Sequence, residues 1–482
     1  MSKKIITDIL NIINELIFYI VDNDSLNELI VQEIKRAICY LIGVSKKEYC
    51  LSQKQYLMLN TMLSIINKIV TKSATSNINN LINELKIYNE KLVFDIMESK
   101  KIDIVFLPYK ASMWDSFETV WEAAYRDIRC NPMVMPIPYC DKKKDLTASK
   151  WYYEGNEIPC NIPIISWKEY DLKTNNPDVI FIHNPYDAYN KITSVDTRFY
   201  SNYLKMYTDM LVYIPYYVSG DYDDKEMCEF PGLKNADKIV VQNESVRKCY
   251  LDKFSPDKVI ALGSPKIEKA LKSKRFDFDL PDEWMDKIKE KKVILYNTHL
   301  SSIFIDPKMA ISKYNHVFDI VSNYSDAVLW WRPHPLLISA IKSTCPELLD
   351  DYIFTVKRFK QENIGIYDDT PDMHRALCWS DVYYGDDISS LLYLSNEVGK
   401  TCVVQYYNQL ICDNRYGGNV DIPEFYNNPI IREKKGEDKL EEILQNKLII
   451  NKSKIIKQSN AGEKILDMII NSYFNKSAKL NC

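Results

Sequence analysis

Apolar residues recur at three- and four-residue spacing through most of the first hundred positions, and that spacing predicts helices. Ile6, Ile9, Leu10, Ile13, Leu16 and Ile17 form one stripe, and similar stripes run through Leu26–Ile42, Gln55–Ile69 and Ile78–Ile96. The polar runs Ser45–Lys47 and Thr71–Ser76 separate them. Residues 1–98 are therefore expected to be an all-helical domain. It holds no catalytic cluster and reads as a bundle for packing or for pairing with a second copy.

At Lys101 the pattern changes. Ile102–Pro108 is a continuous apolar run, as in a strand buried on both faces. A helix is expected over Ser112–Arg126, with Ser112 and Asp115 at capping-box spacing. Strand-like runs follow at Met133–Pro136, Val179–His183, Leu211–Tyr217, Lys238–Val241 and Lys258–Leu262, with helical patterns at Ser201–Leu211 and Ser245–Phe254 between them. The charged stretch Phe276–Lys292 reads as a connection between domains. A second series then begins: Val293–Asn297, Ala327–Trp331, Tyr352–Val356, Val382–Asp386 and Cys402–Tyr406. The tail, Lys439–Phe474, is helical in pattern. Alternation of this kind argues for parallel sheets. The expectation is an α/β chain with two Rossmann-like domains facing a cleft, over 99–280 and 281–482, and a helical N-terminal addition. The C-terminal helix is assigned to the second domain.

Composition narrows the function. Hydrophobic residues are 46% of the 482 and charged residues 27%, the balance of a globular protein. A net charge of −4 speaks against a nucleic-acid partner held by bulk electrostatics. The 12 cysteines are scattered without a C-x-x-C pair, so a zinc ribbon is not expected and the thiols read as reduced in a cytoplasm. Two lysines precede an apolar stretch at the N-terminus, as in a signal peptide. Asp8, Asn11, Asn14 and Glu15 interrupt that stretch, and no small-residue cleavage site follows. The expected location is cytoplasmic. Peripheral contact with the inner face of the membrane and a homo-oligomer through the N-terminal helices both stay open. Neither a Walker A loop nor G-x-G-x-x-G occurs, which disfavours ATP hydrolysis and dinucleotide redox chemistry. Asp221, Asp223 and Asp224 resemble a metal-binding D-x-D, but beside Lys225 they read as a solvated loop. No metal or cofactor is expected.

The candidate chemistry lies where strands give way to turns. After the strand at Tyr384, the turn Gly385–Asp386–Asp387 leads to a helix opening at Ser389 and Ser390. Free amides of a first helical turn, the helix dipole and two hydroxyls suit a phosphate, although Asp and Ser are also ordinary caps. Of five histidines, His183, His299 and His334 follow strands, where ligands bind in open parallel sheets. His183 can act as a general base, oriented by Asp187, or sit in an ordinary turn. His316 reads as structural or surface, and His374 as a cap or surface group. Lys110 and Ser112 can hold an anionic acceptor or belong to a capped, solvated helix start.

Gly263–Lys266 (GSPK), Arg332–Pro335 (RPHP) and Ser380–Ser390 (SDVYYGDDISS) occur in that order. Together they resemble the CDP-glycerol glycerophosphotransferases that polymerise teichoic acids, over roughly Lys101–Tyr407. The resemblance implies a GT-B-like fold and a CDP-activated donor. It implies a glycan or lipid-linked glycan acceptor, and donor phosphates held by Ser264, Lys266, His299, Arg332, His334, Asp386, Ser389 and Ser390. His334 would stabilise the leaving nucleotide. The family also carries a W-H-G histidine in the first α/β domain, a candidate base. The matching slot here is Ile214–Pro215–Tyr216–Tyr217, without a histidine. His183 is the substitute, and a GT-B nucleotide-sugar glycosyltransferase or epimerase-like enzyme is the alternative.

Overall fold

A computed structural model describes residues 3–22, 27–48, 51–71, 78–97, 101–218, 225–386, 389–406, 430–434, 436–448 and 459–480. Asp221, Asp223, Asp224, Asp387 and most of the Thr71–Ser76 run lie outside the described residues. The chain divides into two compact units: Met1–Asp103 with Glu122–Pro132 and Leu466–Cys482, and Ile104–Trp121 with Met133–Ile465.

In the first unit four helices follow the predicted stripes: α1 (Lys3–Asp22), α2 (Glu28–Glu48), α3 (Gln53–Thr71) and α4 (Ile78–Met97). Leu10, Ile13 and Ile17 of α1 meet Ile34, Ile38, Leu59, Met62, Leu85 and Leu92 in one apolar core. Each stripe is the face that three- and four-residue spacing brings together. The buried Asn89 side-chain amide donates to the Leu10 carbonyl at 2.9 Å, pinning α4 to α1. Among the described residues no helix is long and apolar enough to cross a membrane.

The strands form two six-stranded sheets. The first contains β1 (Ile102–Leu107), β2 (Cys130–Val134), β5 (Val179–Ile182), β7 (Met210–Tyr213), β8 (Lys238–Val241) and β9 (Val259–Ala261), in the order β2-β1-β5-β7-β8-β9. The second contains β10 (Lys292–Thr298), β11 (Ala327–Pro333), β12 (Gly365–Tyr367), β13 (Val382–Gly385), β14 (Thr401–Val404) and β15 (Ile430–Arg432), in the order β12-β11-β10-β13-β14-β15. Every pairing in the second sheet is parallel. Its order is that of a doubly wound nucleotide-binding sheet, reversing between β10 and β13. The first sheet reverses between β1 and β5. The fold is thus α/β, with two Rossmann-like sheets and a helical N-terminal region.

Alternation along β11 shows why these runs are strands. Trp331 enters one apolar layer with Phe318, Tyr352 and Phe359, and Trp330 enters the opposite layer with Leu377 and Leu391. A period of two sends neighbours to opposite faces, so an all-apolar run fits only a sheet covered on both sides.

Three expectations change. Tyr352–Val356 is not a strand but part of the helix Leu349–Gln361, whose buried Tyr352, Thr355 and Phe359 keep helical spacing. The strand of that region is β12, where a side chain on Gly365 would fall 2.0 Å from the Leu329 carbonyl oxygen. Ser112–Arg126 opens as a 3-10 turn, Ala111–Ser116, without a side-chain cap, and becomes α-helical only at Glu118. Within the Phe276–Lys292 connection, Asp282–Ile288 is a helix whose Trp284 packs edge-on against Trp330 at 5.3 Å. A three-stranded antiparallel sheet had no distinct sequence signal: β3 (Tyr139–Lys142), β4 (Ala148–Tyr152) and β6 (Thr193–Val195), ordered β4-β3-β6. In the tail, Gly462 donates its amide to Glu268 at 2.7 Å and packs on the Thr119 backbone. The chain thus returns to segments that follow β9 and β1.

Candidate active site

At the reversal point of the second sheet, β10, β11 and β13 end side by side. Gly385 lies directly on Asn297, and a Cβ there would come within 2.2 Å of the Asn297 carbonyl oxygen. That close approach brings the loop after β13 onto the loop after β10.

His334 sits at the end of β11, half-buried. Its amide donates to the Thr298 carbonyl at 2.9 Å. Its Nδ1 accepts the Leu336 amide at 3.1 Å, which assigns the ring proton to Nε2. The His299 ring stands edge-on to it at 5.0 Å. Burial holds His334 well below the ordinary histidine range, and the cationic influence of His299, Lys110, Arg332 and Lys266 adds to it. At neutral pH His334 is therefore an uncharged ring with an Nε2–H to donate.

The groups around it divide into those that can meet an anion and those already engaged. Ser389 caps the helix Ser390–Glu397, accepting the Leu391 amide at 3.2 Å. Ser390 Oγ accepts the Val218 amide at 3.0 Å, joining the turn after β7 to this helix. Asp386 is a correction: its carboxylate takes the His299 amide at 2.6 Å and the Ser302 hydroxyl at 3.3 Å. These bonds order the His299 loop. Arg332 is a second correction. Buried at 4% exposure, it pairs with Asp368 at 2.7 Å and donates to the Thr370 carbonyl at 2.7 Å. Trp330 donates to the same carboxylate at 2.9 Å. Arg332 fixes the loop after β12.

GSPK follows β9. Gly263 takes a φ of +100°, which favours glycine, and Ser264 caps the helix Pro265–Lys272 through the Ile267 amide at 3.4 Å. A recess of only about 10 Å³ opens here, lined by Ile214, Pro215, Tyr217, Gln242, Gly263 and Ser264 among others. Lys266 does not face it as a free cation. At 2% exposure it meets both oxygens of Asp115, at 2.7 and 2.8 Å.

Asp115 also accepts His374 Nε2–H at 2.9 Å. Burial pushes its carboxyl up, but Lys266 and His374 outweigh burial and hold it at about 2. His374 is buried, not a cap or surface group, and this corrects its expected place. Sequence reasoning missed the cluster because its members are 151 and 259 positions apart. It joins the loop after β1, the GSPK helix and the loop after β12.

His183 ends β5, at the reversal point of the first sheet. It is fully buried, stacked on Phe117 at 4.7 Å. Its Nδ1 faces Ser116 Oγ at 3.0 Å, while Ser116 donates its own proton to the Met113 carbonyl at 2.8 Å. The Tyr109 amide points at Nε2 at 3.4 Å. Burial lowers His183 to about 3, with Lys266 contributing. Both ring nitrogens are engaged, so the expected general base has no free nitrogen for an acceptor. Asp187 does not orient it: that carboxylate takes the Ser201 amide at 3.0 Å and hydroxyl at 2.6 Å. Lys110, expected to hold an acceptor anion, donates to Tyr139 at 2.6 Å and Glu154 at 3.2 Å, and Tyr139 also bonds Glu154. Ser112 is half-buried in the 3-10 turn. His316 is exposed, as expected.

No family model matches the sequence. No curated protein matches it either. Among solved structures, a putative UDP-N-acetylglucosamine 2-epimerase from Listeria monocytogenes is similar at 14% identity and TM-score 0.47, covering 78% of this chain and 97% of that one. A UDP-GlcNAc 2-epimerase from Methanocaldococcus jannaschii, in complex with UDP-GlcNAc and UDP, is similar at 10% identity and TM-score 0.48, covering 77% and 99%. The wall teichoic acid polymerase TagF is similar at 13% identity and TM-score 0.44, covering 88% and 100%.

Proposed function

We propose that the protein is a GT-B-like transferase. It moves a phospho-alcohol, such as glycerol phosphate or ribitol phosphate, from a CDP-linked donor to a glycan or lipid-linked glycan hydroxyl. The observation that supports this reading is His334: a neutral ring with an available Nε2–H, at the end of the strand next to the reversal of a nucleotide-type sheet. The acceptor oxygen attacks the β-phosphorus, the bond from that phosphorus to the bridging oxygen breaks, and CMP leaves with the electron pair. The hydroxyl proton passes to water. His334 Nε2–H and the amides opening the helix at Ser390 receive the growing negative charge. Positioning and charge stabilisation carry a phosphoryl transfer of this kind.

The test is a thermal-shift screen against CMP, CDP, CDP-glycerol, UDP and UDP-sugars, followed by product analysis. Ligands that bind only the folded state raise the melting temperature by mass action. Stabilisation by cytidine nucleotides, lost in His334→Ala, together with release of CMP from a CDP-alcohol, is the expected result. Stabilisation by uridine nucleotides alone, with cleavage at a sugar's anomeric carbon, replaces it with the nucleotide-sugar reading. One observation favours that second reading: the slot of the family's histidine holds Ile214–Pro215–Tyr216–Tyr217, and the Tyr216 hydroxyl lies 3.4 Å from that of Tyr186. Burial holds the Tyr216 phenol well above its ordinary value, so it is no base.

A further inference from the structure

The antiparallel β4-β3-β6 sheet carries a surface that the proposed transfer does not use. The hairpin β3–β4 turns through Lys143–Thr147, closed by the Lys143 amide on the Thr147 carbonyl at 2.9 Å and the Leu146 amide on the Lys143 carbonyl at 2.8 Å. Leu146, at the tip, has a φ of +66° and is 53% exposed. Glycine or asparagine would sit there with less strain and without displaying an apolar side chain to water. Trp151 on β4 is 52% exposed. Lys142 donates to the Ala188 carbonyl at 2.8 Å, drawing in the loop that carries Tyr189, which is 69% exposed. Because β6 runs antiparallel to β3, with Thr193 opposite Asp141, Lys191 also belongs to this end of the sheet.

Lys143, Lys144, Lys150 and Lys191 are all exposed here. Asp145 and Asp141 keep their negative charge while accepting the Thr147 amide and hydroxyl and the Tyr152 hydroxyl, but with Lys142 the lysines outnumber them and leave this end net positive. Exposed lysines beside tryptophan, tyrosine and a projecting leucine match a bilayer interface. Aromatic rings settle among head groups, a small apolar side chain inserts, and lysines meet anionic lipid. A soluble polyanion would use the lysines but would gain nothing from Leu146 and Trp151.

We propose that this hairpin end docks the protein on an anionic membrane surface. The proposal does not depend on the transfer reaction. The experiment is co-sedimentation of the full chain with phosphatidylcholine vesicles, with and without phosphatidylglycerol, and a parallel titration with polyphosphate. Binding is expected only to vesicles containing phosphatidylglycerol, falling at least about tenfold in the triple variant Lys143→Glu/Lys144→Glu/Lys191→Glu. Leu146→Gly relieves the tip's backbone strain, so it keeps or raises the melting temperature while weakening vesicle binding several-fold. Three results overturn the proposal: no sedimentation of the unaltered chain with anionic vesicles, undiminished binding by the folded triple variant, or polyphosphate and vesicle binding that are both indifferent to Leu146→Gly and Trp151→Ser.

Discussion

His183 and His334 occupy matching places, each at the end of a parallel strand beside a reversal of strand order, yet their surroundings make them different groups. His183 is fully buried between Phe117 and Tyr109, with Ser116 on one ring nitrogen and an amide facing the other. His334 spends Nδ1 on the Leu336 amide, and among the described residues no partner meets Nε2. Both stay neutral at pH 7, since burial lowers each. A strand-end position makes a residue a candidate; the number of ring nitrogens already bonded decides whether it can act.

The largest effect that would test this comparison lies next to the sealed side. Asp115→Ala leaves Lys266 buried without its partner and is expected to lower stability by about 3–5 kcal/mol, read by denaturant melts. The double variant Asp115→Ala/Lys266→Met should recover much of that loss, because an apolar side chain of similar length suffers no unpaired charge. Persistence of the full loss in the double variant would mean that Asp115 matters chiefly through His374.

His334→Ala is expected to lower transfer activity by about 10²–10³-fold, the usual consequence of removing one donor from a developing oxyanion. Its melting temperature should move little, as the side chain is half-buried. His183→Ala should reverse the pattern, with a large loss of stability accompanying any loss of activity. If instead a stably folded His183→Gln loses activity with a changed pH–rate profile, the sealed histidine takes part in chemistry and the contrast fails.

Acid separates the two buried networks. His183 falls from its ordinary 6.5 to about 3 in the fold, so the unfolded chain takes up a proton that the folded chain refuses. Its contribution is complete above 6.5 and declines by up to about 1.4 kcal/mol per unit as pH falls toward 3. Asp115, held at about 2 against 3.8, contributes fully above 3.8 and loses that contribution only as pH falls through 2. His183→Gln should therefore flatten stability between pH 6.5 and 4 while leaving the steeper acid limb.

The smallest expected change is Ser390→Ala, which removes the acceptor of the Val218 amide and should cost about 0.5–1.5 kcal/mol. If Ser390 also meets phosphate, nucleotide stabilisation should fall by more than the melting temperature of the unliganded protein. Equal losses would leave it a link between the two sheets' loops and nothing more.

Much of this architecture could be read from the chain. The helical stripes of residues 6–96, the apolar runs of β1, β5, β10 and β11, and the helix opening at Ser389–Ser390 all follow from local periodicity and cap chemistry, which are properties of neighbouring residues. The run Tyr352–Val356 misled because a short apolar stretch fits a strand or one face of a helix, and only the buried spacing of Tyr352, Thr355 and Phe359 distinguishes them. Strand ends also identified three of the histidines now found at the reversal points.

The sequence by itself determined which segments are helices and strands in most of the chain, and which turns carry ionisable groups. Only the tertiary structure decided what those groups do. Lys266 and Arg332 read as phosphate ligands until Asp115 and Asp368 were found opposite them, and His374 read as a cap until it was found on Asp115. The reason is physical. Periodicity is set by the backbone over a few residues, whereas the charge and hydrogen-bonding capacity left to a side chain depend on partners that the fold brings from far along the chain.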